Sequence, residues 1–425
     1  MSTASAPVPE SVQAVLPSTP PARRHLFALP HFRSLWLGST ISLLGDQFYL
    51  VALPWLVLQI TGSSLALGTM MMAAAIPRAA LMLVGGAVTD RLSPRRVLMA
   101  TAAIRSLLVG AVAVLVWLGV VQLWHLYLLT LAFGVADAFS LPAGPAMMPT
   151  LVPREQFPAA NSLIQSSLVM TQMVGPAPAG LAIRRWGVAP ALFFDALSFL
   201  AVIAALVRIP SSPPPPAPPA DAPSRPSMLS SIGEGLRAVR QDTPLLALIV
   251  VTAAINFCIA GPVAIGLASM AKFRFGSPAA FGTLLSCFSG GTLAGILLAG
   301  FVKRPSRRGL QLTVISALAG LELIGIGLVA KLVAVGALLA LMGLGVGFVN
   351  VQFSAWLQMR VDRALLGRAS SVLMVSSMGL APVSYALSGV LAQWSLQGLF
   401  LIAGSFLAVL SGALVLGSKA VREID

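Results

Sequence analysis

Apolar residues run through this chain in twelve long blocks, and the polar residues gather into short gaps between them. A helix needs roughly 20 predominantly apolar residues to cross a hydrocarbon core. The blocks fall at 35–59, 65–89, 97–118, 122–148, 159–183 and 189–208, then at 244–270, 279–302, 310–330, 333–357, 369–392 and 397–417. Inside a bilayer the backbone must satisfy its own hydrogen bonds, so blocks of this length predict helices. The widest gap follows the sixth block. It holds Pro213, Pro214, Pro215, Pro216, Pro218 and Pro219, a spacer that cannot build a core. A short amphipathic segment, 228–240, follows it.

The pattern predicts an all-α polytopic membrane protein of two pseudo-symmetric six-helix bundles. The expected divisions are a disordered cytoplasmic tail at 1–32, one bundle at 33–208, a cytoplasmic linker at 209–243, a second bundle at 244–417 and a short cytoplasmic tail at 418–425. An internal repeat supports the division. Pro153 to Ser162 follows the fourth block and Asp362 to Ser371 follows the tenth, with Ala159-Ala160-Asn161-Ser162 answered by Arg368-Ala369-Ser370-Ser371. Duplicated halves around a central site are an architecture of secondary transporters.

Composition agrees. Only 9% of residues are charged and 57% are hydrophobic, against roughly 25% charged in soluble proteins. The net charge of +14 would suggest nucleic acid in a soluble chain, but its placement argues otherwise. Arg184, Arg185, Lys272, Arg274 and Lys331 fall in expected external gaps, and Arg78 and Arg105 lie within blocks; the remaining 20 of 27 Lys and Arg fall on the expected cytoplasmic side. That bias orients helices and puts both termini in the cytoplasm. No nucleic-acid partner is expected. Cys258 and Cys287 lie within blocks and read as small core residues; His25, His31 and His125 lie outside the blocks or at their edges, so no metal site is expected.

The gap between the second and third blocks carries Gly85-Gly86-Ala87-Val88-Thr89-Asp90-Arg91-Leu92-Ser93-Pro94-Arg95-Arg96. Gly86, Asp90, Arg91, Arg95 and Arg96 resemble the motif between helices 2 and 3 of major facilitator superfamily transporters, with Ser93-Pro94 where that family has one glycine. The resemblance implies that these five residues form a conformational latch, in which Asp90 grips another helix start and nearby arginines in one state only. Gly175, Pro176 and Gly180 resemble the bend in the fifth helix of the superfamily's exporters. Leu35-Trp36-Leu37-Gly38, Gly45-Asp46 and the Ala-Asn-Ser start of the fifth block resemble the enterobactin- and macrolide-exporter branch.

Four ionisable residues lie inside the first bundle's blocks: Asp46, Arg78, Arg105 and Asp137. Each sits roughly 14–20 Å along its helix, where an unpaired charge costs about 2.5–3.5 kcal/mol on the milder insertion scale. They must be paired or hydrated. Pairs Asp46–Arg78 and Arg105–Asp137 could be helix staples; alternatively Asp46 or Asp137 exchanges a proton during transport. The resemblance implies a relay arginine in helix 4 of proton-coupled members; Thr130 occupies that place, so this arginine is either missing or replaced by Arg105. Gln165 and Gln172, with Asn161, form one helical stripe that either lines an aqueous path or bonds to a neighbour. Asn256, Asn350, Gln352 and Trp356 are the expected cavity residues of the second bundle, with Phe257, Phe353 and Met359 as apolar bulk; Glu322 is its one acid at depth. Asp195 sits near the outer end of the sixth block, where it is expected only to snorkel.

The expectation is a monomeric alternating-access transporter of the cytoplasmic membrane that needs no cofactor beyond a proton gradient. Its small-molecule substrate is expected to be an amphipathic, drug-like or siderophore-like compound, exported against protons. An uncoupled facilitator or importer, or a non-transporting scaffold, remains open. An enzyme is not expected, because no nucleophile–base pair or phosphate loop is present.

Overall fold

The computed structural model describes residues 25–210, 243–302, 308–360 and 379–417. The first bundle is built from α1 (Pro30–Thr61), α2 (Ser64–Arg91), α3 (Pro94–Trp117), α4 (Leu123–Ala146), α5 (Phe157–Val174), α6 (Pro176–Trp186) and α7 (Val188–Val207). The second contains α8 (Thr243–Gly261), a π turn (Pro262–Gly266), α9 (Leu267–Phe273), α10 (Pro278–Phe301), α11 (Arg308–Leu328), α12 (Leu332–Arg360), α13 (Ala381–Trp394) and α14 (Leu396–Gly417). Among the described residues ten helical stretches are long and apolar enough to cross a membrane. The other two expected crossings are the fifth, which Gly175 divides into α5 and α6, and the eleventh, whose residues 369–378 lie outside the described residues.

The helix boundaries follow from local chemistry. Gly62 closes α1 in the left-handed region, at φ 61°, where a side chain would be strained. Ser63 then caps α2, its hydroxyl accepting from the Ala66 amide at 3.2 Å. Ser93 does the same for α3 through the Arg96 amide at 3.4 Å, and Pro94 takes the first helical position. The Ser-Pro pair that departs from the family motif therefore makes the tight turn itself. Residues 25–32, expected as tail, instead hold a turn at Leu26–Ala28 and the start of α1, because Phe32 buries its ring against Met147, Leu151 and Ile209. Of the expected linker, Ile209, Pro210 and Thr243 are described, Ile209 within that cluster; its residues 211–242, the C-terminal tail and residues 1–24 lie outside the described residues.

Helix pairing repeats between the halves. In the first, α2 packs on α4, and α7 packs on both α3 and α1; in the second, α10 packs on α12, and α14 packs on both α11 and α8. Among the described residues the two most extensive crossings between the halves are α2 on α13 and α6 on α10. Both are backbone-close. A side chain at Gly68 would lie 2.7 Å from the Gly389 Cα, and one at Gly180 would lie 3.0 Å from the Ala279 Cα. Small residues substitute here for a hydrophobic drive that lipid cannot supply.

The core is uneven along the bundle axis. We call "outer" the end bearing the α1–α2, α6–α7, α9–α10 and α13–α14 turns. Leu53, Leu58, Leu67, Met70, Leu267, Met270, Phe281 and Phe400 form one buried cluster that spans both halves at that end. The described cluster at the opposite end, around Phe32, Ala160 and Leu206, belongs to the first half alone.

Candidate functional site

Between the halves lies a hollow of about 440 Å³, walled by α1, α2, α5, α6, α8, the π turn, α10, α12 and α13. Its polar residues are Gln47, Gln172, Asn256, Ser289 and Tyr385, set among Met71, Phe281 and Phe288. Among the described residues, neither an acid nor an arginine or lysine lines it. Gln47 is held close by Gly175, where a side chain would collide with it, and its Oε1 is buried without a partner. That carbonyl is a free acceptor on the wall. The π turn places Val263 and Ala264 on the same wall, and π insertions in α-helices recur where function displaces regular geometry.

The outer mouth is shut by contacts between the halves. Ser64 and Ser269 share a buried hydroxyl hydrogen bond of 2.7 Å, Ser63 donates to the Gln393 amide oxygen at 3.0 Å, and the Lys272 ammonium lies 4.7 Å from the Trp55 ring centre. Deeper in, the break at Gly175–Pro176 frees the Ala177 amide, which donates across the seam to Ser286 at 3.1 Å. A helix interruption leaves such donors without an intrahelical partner, and here the opposite half supplies one.

Beside the hollow, within the first half, sits the charge cluster. Arg105 forms a close ion pair with Asp137, donates to Ser140 at 2.8 Å and lies over the rings of Phe133 and Phe199. Arg78 approaches the other oxygen of Asp137 at 3.7 Å. The expected Asp46–Arg78 pair is therefore replaced by two arginines on Asp137. Asp46 is half-buried and makes neither ion pair nor hydrogen bond among the described residues, although its chain neighbour Gln47 lines the hollow. Thr130 is buried and turns its hydroxyl back to the Leu126 carbonyl, so it does not replace the missing relay arginine.

Asp195 corrects an expectation. It is fully buried, not snorkelling, with neither carboxylate oxygen hydrogen-bonded. The sequence signal that could have found it is the glycine seven residues after Gly38: Gly45 leaves the notch on α1 that Asp195 and Ser198 of α7 fill.

Other expected site residues are scattered. Gln172 and Asn256 reach the hollow; Gln165 is exposed on the Gln172 stripe of α5, and Asn350 is exposed on α12, one turn beyond the lining Val346 but not itself in the lining. Gln352 and Trp356 line a separate small cleft between α11 and α12, because the Trp356 indole packs into that seam at 3% exposure. Glu322 is half-buried on α11. Gln47, Ser289 and Tyr385 were missed, since isolated polar residues in apolar blocks carry no periodic signal.

In the α2–α3 motif, the side chains of Asp90 and Arg91 lie outside the described residues. Arg95 donates to the Leu206 carbonyl at 2.7 Å and to the Val207 carbonyl at 3.4 Å, satisfying the C-terminal end of α7. Arg96 is exposed. The close helix approach falls on Gly85, set against the Ala138 backbone of α4, while Gly86 faces open space.

The family model for transmembrane secretion effectors matches residues 25–425. The multidrug efflux pump Tap of Mycolicibacterium fortuitum is 28% identical over 90% of this chain and 94% of its own length. Macrolide efflux protein A of Streptococcus pyogenes is 25% identical over 88% and 93%. Among solved structures, the nucleoside transporter NupG superposes with a TM-score of 0.69 at 14% identity, covering 92% of this chain and 100% of that one. A bacterial homologue of the iron transporter ferroportin, in an inward-facing state, gives 0.67 at 17% identity over 91% and 98%. These structures share the fold.

Proposed function

Because the chain belongs to the transmembrane secretion effector family of major facilitator transporters, we propose that it exports an uncharged or amphipathic small molecule from the cell in exchange for protons. It is a multi-pass membrane transporter and not an enzyme. The observation that carries the finer reading is the hollow. Its volume lies within the roughly 300–1,000 Å³ usual for small-molecule sites. Its wall offers aromatic and methionine surface with a few amide and hydroxyl groups, and no fixed charge. Such a wall selects compounds that bring modest hydrogen bonding and much apolar area, and it suits the macrolide and multidrug substrates in the relatives' names.

With both termini cytoplasmic, the sealed mouth faces outward, and this conformer is the one from which an exporter loads. The two halves, 33–208 and 244–417, rock about the hollow to expose it alternately. Closing the inner end brings the α2–α3 motif against the second half, where Asp90, Arg91 and Arg96 act as the latch while Arg95 stays fixed to α7. Of the two acids considered for proton exchange, Asp137 is held by both arginines and anchors the cluster. Asp46 has the freedom to take up and release a proton next to Gln47. The protein works as a monomer in the cytoplasmic membrane.

The test is accumulation. Cells carrying the protein are expected to hold less of a labelled macrolide than cells without it, and the difference should vanish when a protonophore collapses the gradient. Equal accumulation across a panel of macrolides, dyes and siderophores would overturn the export reading. Persistence of the difference under the protonophore would leave a facilitator.

A further inference from the structure

Among the described residues, the membrane-spanning stretches of the first half hold more acid than base at depth. Asp46, Asp137 and Asp195 face Arg78 and Arg105, and both arginines attend Asp137. One negative charge is left over. A membrane interior leaves no such charge bare, so the cluster must hold a proton. Its position is open to geometric argument. Asp46 is half-buried and, although it does not line the hollow, directly precedes Gln47, which does. Asp195 is fully enclosed; the hydroxyl of Ser198, which faces its carboxyl, donates to the Asp195 backbone carbonyl at 2.7 Å, and neither carboxylate oxygen is in hydrogen-bond geometry. The notch at Gly45 brings it against α1, where an added Cβ would lie 2.8 Å from its Oδ1.

We infer that Asp195 is the proton-loading carboxyl of this transporter, holding the cluster's one proton and exchanging it with the hollow through Asp46. The inference rests on the proton-coupled reading above. The groups facing Asp195 from its packed neighbours are Asp46 and Tyr49 on α1 and Arg105 on α3; the ionisable groups of α6, Arg184 and Arg185, lie in its last turn. In the exchange, the Asp195 O–H bond breaks and the proton passes to the Asp46 carboxylate, leaving Asp195 as carboxylate and Asp46 as the acid. Asp46 then gives the proton to water in the hollow. The charge left on Asp195 draws on Arg105, which Asp137 otherwise holds. That redistribution couples proton release to the α1–α3–α7 packing on which the first half turns.

The seat of the proton is read by infrared difference spectroscopy on the full-length protein in liposomes, stepped from acid to alkaline bath. The wild type should show a protonated-carboxyl carbonyl band that disappears on the alkaline step. Asp195→Asn should lack that component at both pH values, and Glu322→Gln should keep it. A component that survives in Asp195→Asn, or one that stays in the wild type at alkaline pH, overturns the assignment. Asp46→Asn, on a more open side chain, supplies a second variant: the band should remain and lose its response to the bath, and an unchanged response would overturn the route. In the same liposomes, with erythromycin as probe, Asp195→Asn should lose uphill accumulation under a pH gradient yet retain exchange between equal concentrations. Uphill accumulation at the wild-type level would overturn the loading role. If the wild type itself moves no erythromycin, the export reading fails for that compound, while the spectrum still decides where the proton sits.

Discussion

Asp137 shows how single charges are tolerated at depth. Its two arginines approach from α2 and α3, and the guanidinium of Arg105 also covers two phenyl rings. Removing one partner from a fully buried pair costs about 3–5 kcal/mol. Asp137 is 26% exposed, so Asp137→Asn should cost less than that. The expected result is a lowered melting temperature in detergent, partly restored by adding Arg105→Gln, which removes the stranded cation. A melting temperature unchanged by Asp137→Asn would mean the pair contributes little. At this scale the sequence was informative about which helices carry charge at depth but not about which charges meet. Four ionisable side chains at similar depth demanded neutralisation, whereas the choice between Asp46 and Asp137 for Arg78 depends on helix rotation, which spacing along one helix does not contain. Asp195 was misjudged because distance from a helix end says nothing of the neighbouring glycine that encloses it.

Helices in this fold are set by where backbones can touch. Gly85 meets the Ala138 backbone, so Gly85→Leu should destabilise the α2–α4 pair by about 1–3 kcal/mol, the usual cost of overpacking. Gly86 faces open space here, so Gly86→Leu should leave thermal stability unchanged. If the α2–α3 motif closes against the second half during transport, Gly86→Leu should still depress efflux of a labelled macrolide. Normal efflux would remove Gly86 from the latch. The twelve apolar blocks were legible because crossing length is a coarse property. The break in the fifth was legible too, from Gly175 and Pro176. Its consequence was not, since the freed Ala177 amide finds Ser286 only in the opposite half. The Ser93-Pro94 pair was likewise legible as a departure, and only the cap geometry explains why it suffices.

For the whole molecule, the repeated helix pairing and the core shared at the outer end describe two halves pressed together there, with a hollow between them. The second copy of the sequence repeat, at 362–371, lies outside the described residues. The repeat did not anticipate which polar residues face the hollow, because Gln352 and Trp356 turn to a cleft between α11 and α12 while Gln47 and Tyr385 turn inward. At the sealed end, Gly68→Leu should wedge α2 from α13, since a side chain there meets the Gly389 backbone. The wedge should bias the protein toward opening at the outer mouth.

Alternating access is tested most directly by the distance across that mouth. Spin labels placed at Leu65 and Trp394, both exposed beside the Ser63–Gln393 contact, report it by pulsed electron resonance in liposomes. A short separation is expected in the resting protein, with a second, longer population that grows when the bath is made acid and dominates in Gly68→Leu. A single short distance under every condition would contradict the account.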